Sequence, residues 1–164
     1  MRDGRATVGW VAGLALAADI ATKAWVEWTF RLGEGFWVID GILKLEHVRN
    51  SGVAFGMFAD LAWRWRLPFF LVTLGAAGYL PWQLWDQARR TVWGRVALGL
   101  IAGGAVGNLI DRLRYGEVVD FIDVWIGRFH WPTFNAADSC ICVGTGILLV
   151  VLWRTKAEAP STPS

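Results

Sequence analysis

Four long apolar runs dominate this chain, each close to the length a helix needs to cross a bilayer. They cover about residues 7–28, 67–85, 96–112 and 136–153. A bilayer core takes about 20 helical residues, and no backbone polar group inside it can be left unpaired. With 55% hydrophobic residues in 164, little remains from which to build a separate soluble domain. The predicted fold is an all-α integral membrane protein, a four-transmembrane-helix bundle in a single domain over residues 1–156. Loops at 29–66 and 113–135 join the spans on one side, and residues 157–164 form a polar, Pro-containing tail, predicted to be disordered. The third and fourth spans are short unless flanking residues extend them, and Pro81 is placed to kink the second.

The chain holds twelve Trp, and most sit near the proposed span ends: Trp10, Trp25, Trp28, Trp63, Trp65, Trp82, Trp85, Trp93 and Trp153. Trp favours the interface, where its ring is half buried and its N–H finds a partner. The first run also has the parts of a cleaved signal peptide, with Arg2 and Arg5 ahead of it and Ala15-Leu16-Ala17 within it. Its helical pattern continues through Asp19, Lys23 and Trp28, however, and the acid-first i,i+4 pair suits a helix, so it reads as a retained span. Four spans put both termini on one side. Basic residues are spread almost evenly over the two sides, so charge bias does not set the orientation; the short basic N-terminus favours cytoplasmic termini only weakly. A net charge of +2 is too small to call for a nucleic-acid partner. Cys140 and Cys142 are two apart in a helical run and point to different sides, which argues against a mutual disulfide and for small core residues.

The unusual polar residues converge on one membrane face. Spans one and three run in the same direction and leave the bilayer at Asp19/Lys23 and at Asn108/Asp111/Arg112. Span four begins on that face with Asn135 and Asp138, and Asn50 and Asp120 lie in the loops there. A charge near a helix centre costs roughly 2.5–3.5 kcal/mol on insertion scales, so groups kept there face a cavity or one another. A transporter or proton relay would spread such groups through the membrane depth, and a scaffold would not need two acids at one surface. Gly104, Asn108, Asp111 and Arg112 share one helical face, while Gly99, Gly103 and Gly107 repeat a small-xxx-small step that permits close helix approach. Two carboxylates in a semi-dry pocket do not both ionise cheaply. One keeps a proton while the other acts as base on a water, which suits amide hydrolysis without a metal or a nucleophilic side chain. His47 and His130 form no zinc-like pattern with the cysteines. Asp138 is one acid of such a pair; for the other, the residues alone leave Asp120 and Asp123 open.

In residues 31–66, apolar runs flank Asp40-Gly41, a β-hairpin signal, followed by the turn signal Asn50-Ser51-Gly52. A small β platform resting on the membrane is predicted there.

These motifs resemble those of the type II (lipoprotein) signal peptidase family of bacteria. The likeness runs through Asp19-Ile-Ala-Thr22-Lys23, then Asn50-Ser-Gly52-Val-Ala54-Phe55-Gly56, then Gly103-Gly104 to Gly107-Asn108 and Asp111-Arg112. It ends with Val118-Val119-Asp120-Phe121 and Phe134-Asn135-Ala-Ala137-Asp138. The resemblance implies a membrane aspartic endopeptidase that removes the signal peptide from diacylglyceryl-modified prolipoproteins, cutting before the lipidated cysteine. It implies Asp120 and Asp138 as the catalytic pair. Asn50, Gly52, Gly104, Asn108, Arg112 and Asn135 would bind substrate, with Asp19, Lys23 and Asp111 as supports. It further implies the bacterial inner membrane, cytoplasmic termini, an active site at the outer face, and an extracytoplasmic place for the β platform. No cofactor or metal is implied. The partners would be prolipoproteins and membrane lipids but no nucleic acid, the enzyme acting as a monomer.

Overall fold

The computed structural model describes residues 4–51, 75, 79 and 82–157. Gly52, Trp63, Trp65, most of the second predicted span and the tail beyond residue 157 lie outside the described residues. The elements in chain order are α1 (Gly4–Thr29), β1 (Gly35–Ile39), β2 (Leu43–Asn50), α2 (82–88), α3 (Val92–Tyr115), β3 (Val118–Ile126), β4 (Phe129–Phe134) and α4 (Ala136–Ala157).

α3 and α4 pack through an apolar core of Ala97, Leu98, Ile101 and Leu148, whereas α1 turns apolar side chains outward and buries charge. The buried stripe of α1 is Ala15, Asp19, Lys23 and Val26, spaced four, four and three apart, whereas Trp10, Leu14 and Trp28 are left exposed. That arrangement is stable only where the surroundings are as apolar as the exposed side chains. Among the described residues, Val92–Tyr115 and Ala136–Thr155 are long and apolar enough to cross a membrane. Cys140 and Cys142 are free thiols. Cys142 is exposed on α4 and Cys140 only partly buried, which corrects their reading as core residues: at this point the apolar face of α4 looks outward.

α3 is the central helix. Thr91 caps its start by accepting the Gly94 N–H at 2.9 Å, and Gly116, in the left-handed region at φ 72°, closes its end by donating to Arg112 O. A side-chain carbon on Gly99 or Gly103 would meet Val11 Cβ at 2.6 Å or Ala12 O at 2.5 Å, and one on Gly107 would collide with the Asp19 carboxylate. The three glycines thus seat α1 along α3 in parallel, as the sequence spacing predicts. Gly104 and Gly144 do the same for antiparallel α4, facing Ala137 O and Ala97 O.

The hairpin predicted at Asp40-Gly41 is present, with Gly41 at φ 70° between β1 and β2. The platform is larger than that hairpin, however. It is a four-stranded antiparallel sheet, β1-β2-β3-β4, whose second hairpin comes from the loop at 113–135. The overlooked signal is the β-branched run Val118–Ile126 followed by Gly127 at φ 62° and an aromatic-rich return strand. Between Leu45 and Val48, three steps on β2 match two on β3, a one-residue bulge at Glu46-His47. Val26, Val119 and Phe121 form the small core that joins the sheet to the end of α1.

Candidate active site

The polar residues singled out in the sequence meet where the sheet joins the helix ends. Asp19, Lys23, Asn108, Asp111, Asp120 and Asn135 are all buried. Lys23 Nζ lies 2.7 Å from Asp19 Oδ2 and 2.8 Å from Asp111 Oδ2, and donates to Asn108 Oδ1 at 3.1 Å. The two carboxylates are braces as well as counter-ions. Asp19 Oδ1 accepts the Ala137 N–H at 2.9 Å, fixing the start of α4, and Asp111 Oδ2 accepts the Val119 N–H at 3.1 Å, fixing the start of β3. One ion cluster therefore aligns the two elements that carry Asp138 and Asp120.

Asp138 is set by a reciprocal cap. Its N–H donates to Asn135 Oδ1 at 2.9 Å, and the Asn135 N–H reaches back to Asp138 Oδ2 at 3.4 Å. An Asn followed three residues later by an acid, just before an apolar run, is a helix-start signature that is readable in the sequence. The amide of Asn135 then spans to the other acid, its Nδ2 donating to Asp120 Oδ1 at 2.7 Å. Asn108 completes the circuit: its Nδ2 donates to Asp138 Oδ1 at 2.7 Å, while its Oδ1 accepts from both Lys23 and Asn135. Asn50, from the end of β2, donates to Asp120 Oδ2 at 2.9 Å. Both Asp120 oxygens thus accept an amide N–H, and the two carboxylates are linked by a fixed pair of amides. Arg112 donates to Asn108 O at 3.0 Å, and its charge acts on Asp138, Asp120 and Asp111.

Burial pushes the Asp120 carboxyl up to about 6, and the negative charge of Asp138 adds to the effect; donation from Asn50 and Asn135 and the charge of Lys23 pull the other way. Asp123 is held elsewhere on the sheet. It accepts Trp125 Nε1–H at 2.9 Å and pairs with His130 Nε2 at 2.7 Å, with the His130 ring stacked on Trp125 at 4.3 Å. His47 is engaged with Phe30 O through Nδ1 at 3.1 Å. Gly104 contributes closeness, since a side chain there would strike Ala137 O, one residue before Asp138.

Apolar helices enclose a buried acid–amide cluster beneath a small sheet. Two solved structures have the same build. One bacterial membrane enzyme, solved by the in meso method at 2.3 Å resolution, matches with a TM-score of 0.76 and 30% identity, covering 97% of this chain and 95% of that one. A second, at 1.9 Å resolution, matches with a TM-score of 0.72 and 32% identity, covering 90% of this chain and 92% of that one. The family model for signal peptidase (SPase) II matches residues 11–154. The lipoprotein signal peptidase of Syntrophotalea carbinolica is 46% identical over 145 residues, 88% of this chain and 89% of that protein. That of Syntrophus aciditrophicus is 43% identical over 148 residues, 90% of this chain and 92% of that protein. The chain belongs to the signal peptidase II family, and it is a peptidase of the membrane.

Proposed function

We propose that this enzyme removes the signal peptide from diacylglyceryl-modified bacterial prolipoproteins, cutting before the lipidated cysteine, with Asp120 and Asp138 as its catalytic pair. The observation that carries the reading is the amide circuit that holds the two acids, one of them with its carboxyl raised to about 6. Asp120 retains the proton and donates it toward the scissile carbonyl oxygen. Asp138, oriented by Asn108 and by the cap at Asn135, takes a proton from the attacking water. Asn108, Arg112 and Asn135 line the site and hold the substrate backbone or its polar lipid portion, and Asn50 and Gly52 belong to the substrate-facing loop. Asp19, Lys23 and Asp111 keep β3 and α4 in register with each other, and Gly104 lets α4 approach.

Four spans in one domain cross the inner membrane, with the termini cytoplasmic and the acids at the outer face. Convergence of the polar groups at one end of the parallel pair α1 and α3 supports placing both acids at a single membrane face. The signal helix and acyl chains enter sideways from the bilayer to a monomeric enzyme. Cleavage of a diacylglyceryl-modified precursor by the purified protein and its variants tests the reading. Asp120→Asn and Asp138→Asn should each abolish cleavage in folded, membrane-inserted protein. Activity at the parent level in either variant refutes the pair.

A further inference from the structure

Asn50 donates to Asp120 Oδ2 at 2.9 Å, yet it is the last residue of β2, paired with Val118 on the last rung of the ladder. Strand ends fray unless something beyond the ladder holds them. The neighbouring residue is tied on three sides. Arg49 pairs through the ladder with Val119; its Nη2 donates to Glu27 Oε1 on α1 at 2.6 Å; and its guanidinium sits 4.1 Å over the ring of Tyr115, the last residue of α3. The Arg49 and Glu27 side chains are only 24% and 27% exposed, so this pair is screened less than one in open water. A planar guanidinium is suited to pairing with a carboxylate and stacking on a ring at once.

Neighbouring residues on a strand point to opposite faces. The bulge at Glu46-His47 shifts the parity of β2 so that Val48, and with it Asn50, falls on the face of Asp120. Arg49 therefore has its side chain on the other face, against Glu27 and Tyr115, and acts on Asp120 only through the backbone of Asn50.

We infer that Arg49 is a positioning residue of the reaction: locked between Glu27 and Tyr115, it holds the end of β2 so that Asn50 donates to Asp120. This rests on Asp120 being one of the catalytic acids.

The test is a double-mutant cycle on the full-length enzyme in lipid–detergent micelles, with a diacylglyceryl-modified prolipoprotein as substrate, measuring kcat, KM and their pH dependence. Arg49→Gln should lower kcat on the order of 10-fold, the scale expected for a misplaced reacting group, with KM close to that of the parent. The alkaline limb of its pH profile should move to higher pH, as in Asn50→Ala, because both variants lose the donation that favours the Asp120 anion. The double variant should be no worse than Asn50→Ala alone. Arg114→Gln is the control: that guanidinium lies 5.4 Å from the same ring, and its loss should leave the parent profile. Additive losses, an unmoved limb in Arg49→Gln, or equal damage from Arg114→Gln overturns the inference. If Arg49→Gln does not accumulate as folded protein, Glu27→Gln and Tyr115→Leu, which keep Arg49, take its place; parent-like pH profiles in both overturn it. Asp120→Asn separates the two levels. An active Asp120→Asn refutes the catalytic pair, whereas an inactive one with an additive Arg49/Asn50 cycle refutes the positioning role alone.

Discussion

Replacing Asp120 with Asn should change how stability depends on pH as well as abolish cleavage. Asp120 is 2% exposed, and its carboxyl is pushed from 3.8 to about 6 chiefly by burial. The folded protein therefore holds this proton up to about pH 6, while the unfolded chain releases it near the ordinary carboxylate value. Because the folded value is the raised one, the group's contribution to stability is fully present below the unfolded value and is lost as pH rises through about 6. A difference of about 2 pKa units corresponds to about 3 kcal/mol between the two ends of that window. For a protein of this size, 1 kcal/mol moves the unfolding midpoint by about 2–4 °C, so the whole effect is on the order of 6–12 °C. Asn does not titrate. Whatever fixed offset comes from turning an NH2 toward Asn50 or Asn135, the variant lacks this decline. Thermal unfolding of both proteins in the same detergent, followed by Trp fluorescence from pH 3.5 to 7.5, gives the comparison. The parent should lose several degrees relative to Asp120→Asn across the window. Parallel midpoint curves would refute the argument that burial of this carboxyl is costly, and with it the basis for assigning Asp120 the proton.

With Asp120 as the proton carrier, kcat/KM of the parent should fall as pH rises through about 6, and a flat profile to pH 8 would reassign the proton. Asp123→Asn should keep much of the activity, at a stability cost of about 1–3 kcal/mol from the weakened bonds to Trp125 and His130; loss of cleavage in a folded variant would bring Asp123 back as an acid of the pair. Lys23→Met leaves Asp19 and Asp111 facing each other without their cation, which should cost about 3–5 kcal/mol and sharply reduce the yield of folded protein on size exclusion in detergent. A parent-like yield would show that the cluster is not what aligns β3 with α4.

Much of the site was legible because its residues are conspicuous for where they stand. A charged side chain or an Asn at the end of an apolar helix is costly, so Asp19, Lys23, Asn108, Asp111 and Asp138 stand out singly, and span direction alone brings them to one end. The sheet was half legible. Asp40-Gly41 between apolar runs announces one hairpin, whereas the β3–β4 hairpin hides behind an acid-containing strand that reads as a connector beside a helix end. Asp123 shows the limit most clearly. By composition it rivals Asp120, and in the structure its engagement with Trp125 and His130, away from the amides that hold Asp120, sets it apart.

The sequence by itself determined the presence of α1, α3 and α4, the close approach along Gly99, Gly103 and Gly107, and the end of the helices at which the polar groups gather. These depend on periodicity and spacing within one segment, which a linear pattern carries. Only the tertiary structure decided that Asn135 and Asn108 link the two acids, that Asp19 and Asp111 brace α4 and β3, and that Arg49 is tied to Glu27 and Tyr115. Those contacts join residues as far as 118 positions apart. They depend on a one-residue bulge that decides which face Asn50 occupies, and on helix approaches of a few ångströms. Register and approach distance are settled by the packing of all the elements together, so no single stretch of sequence encodes them.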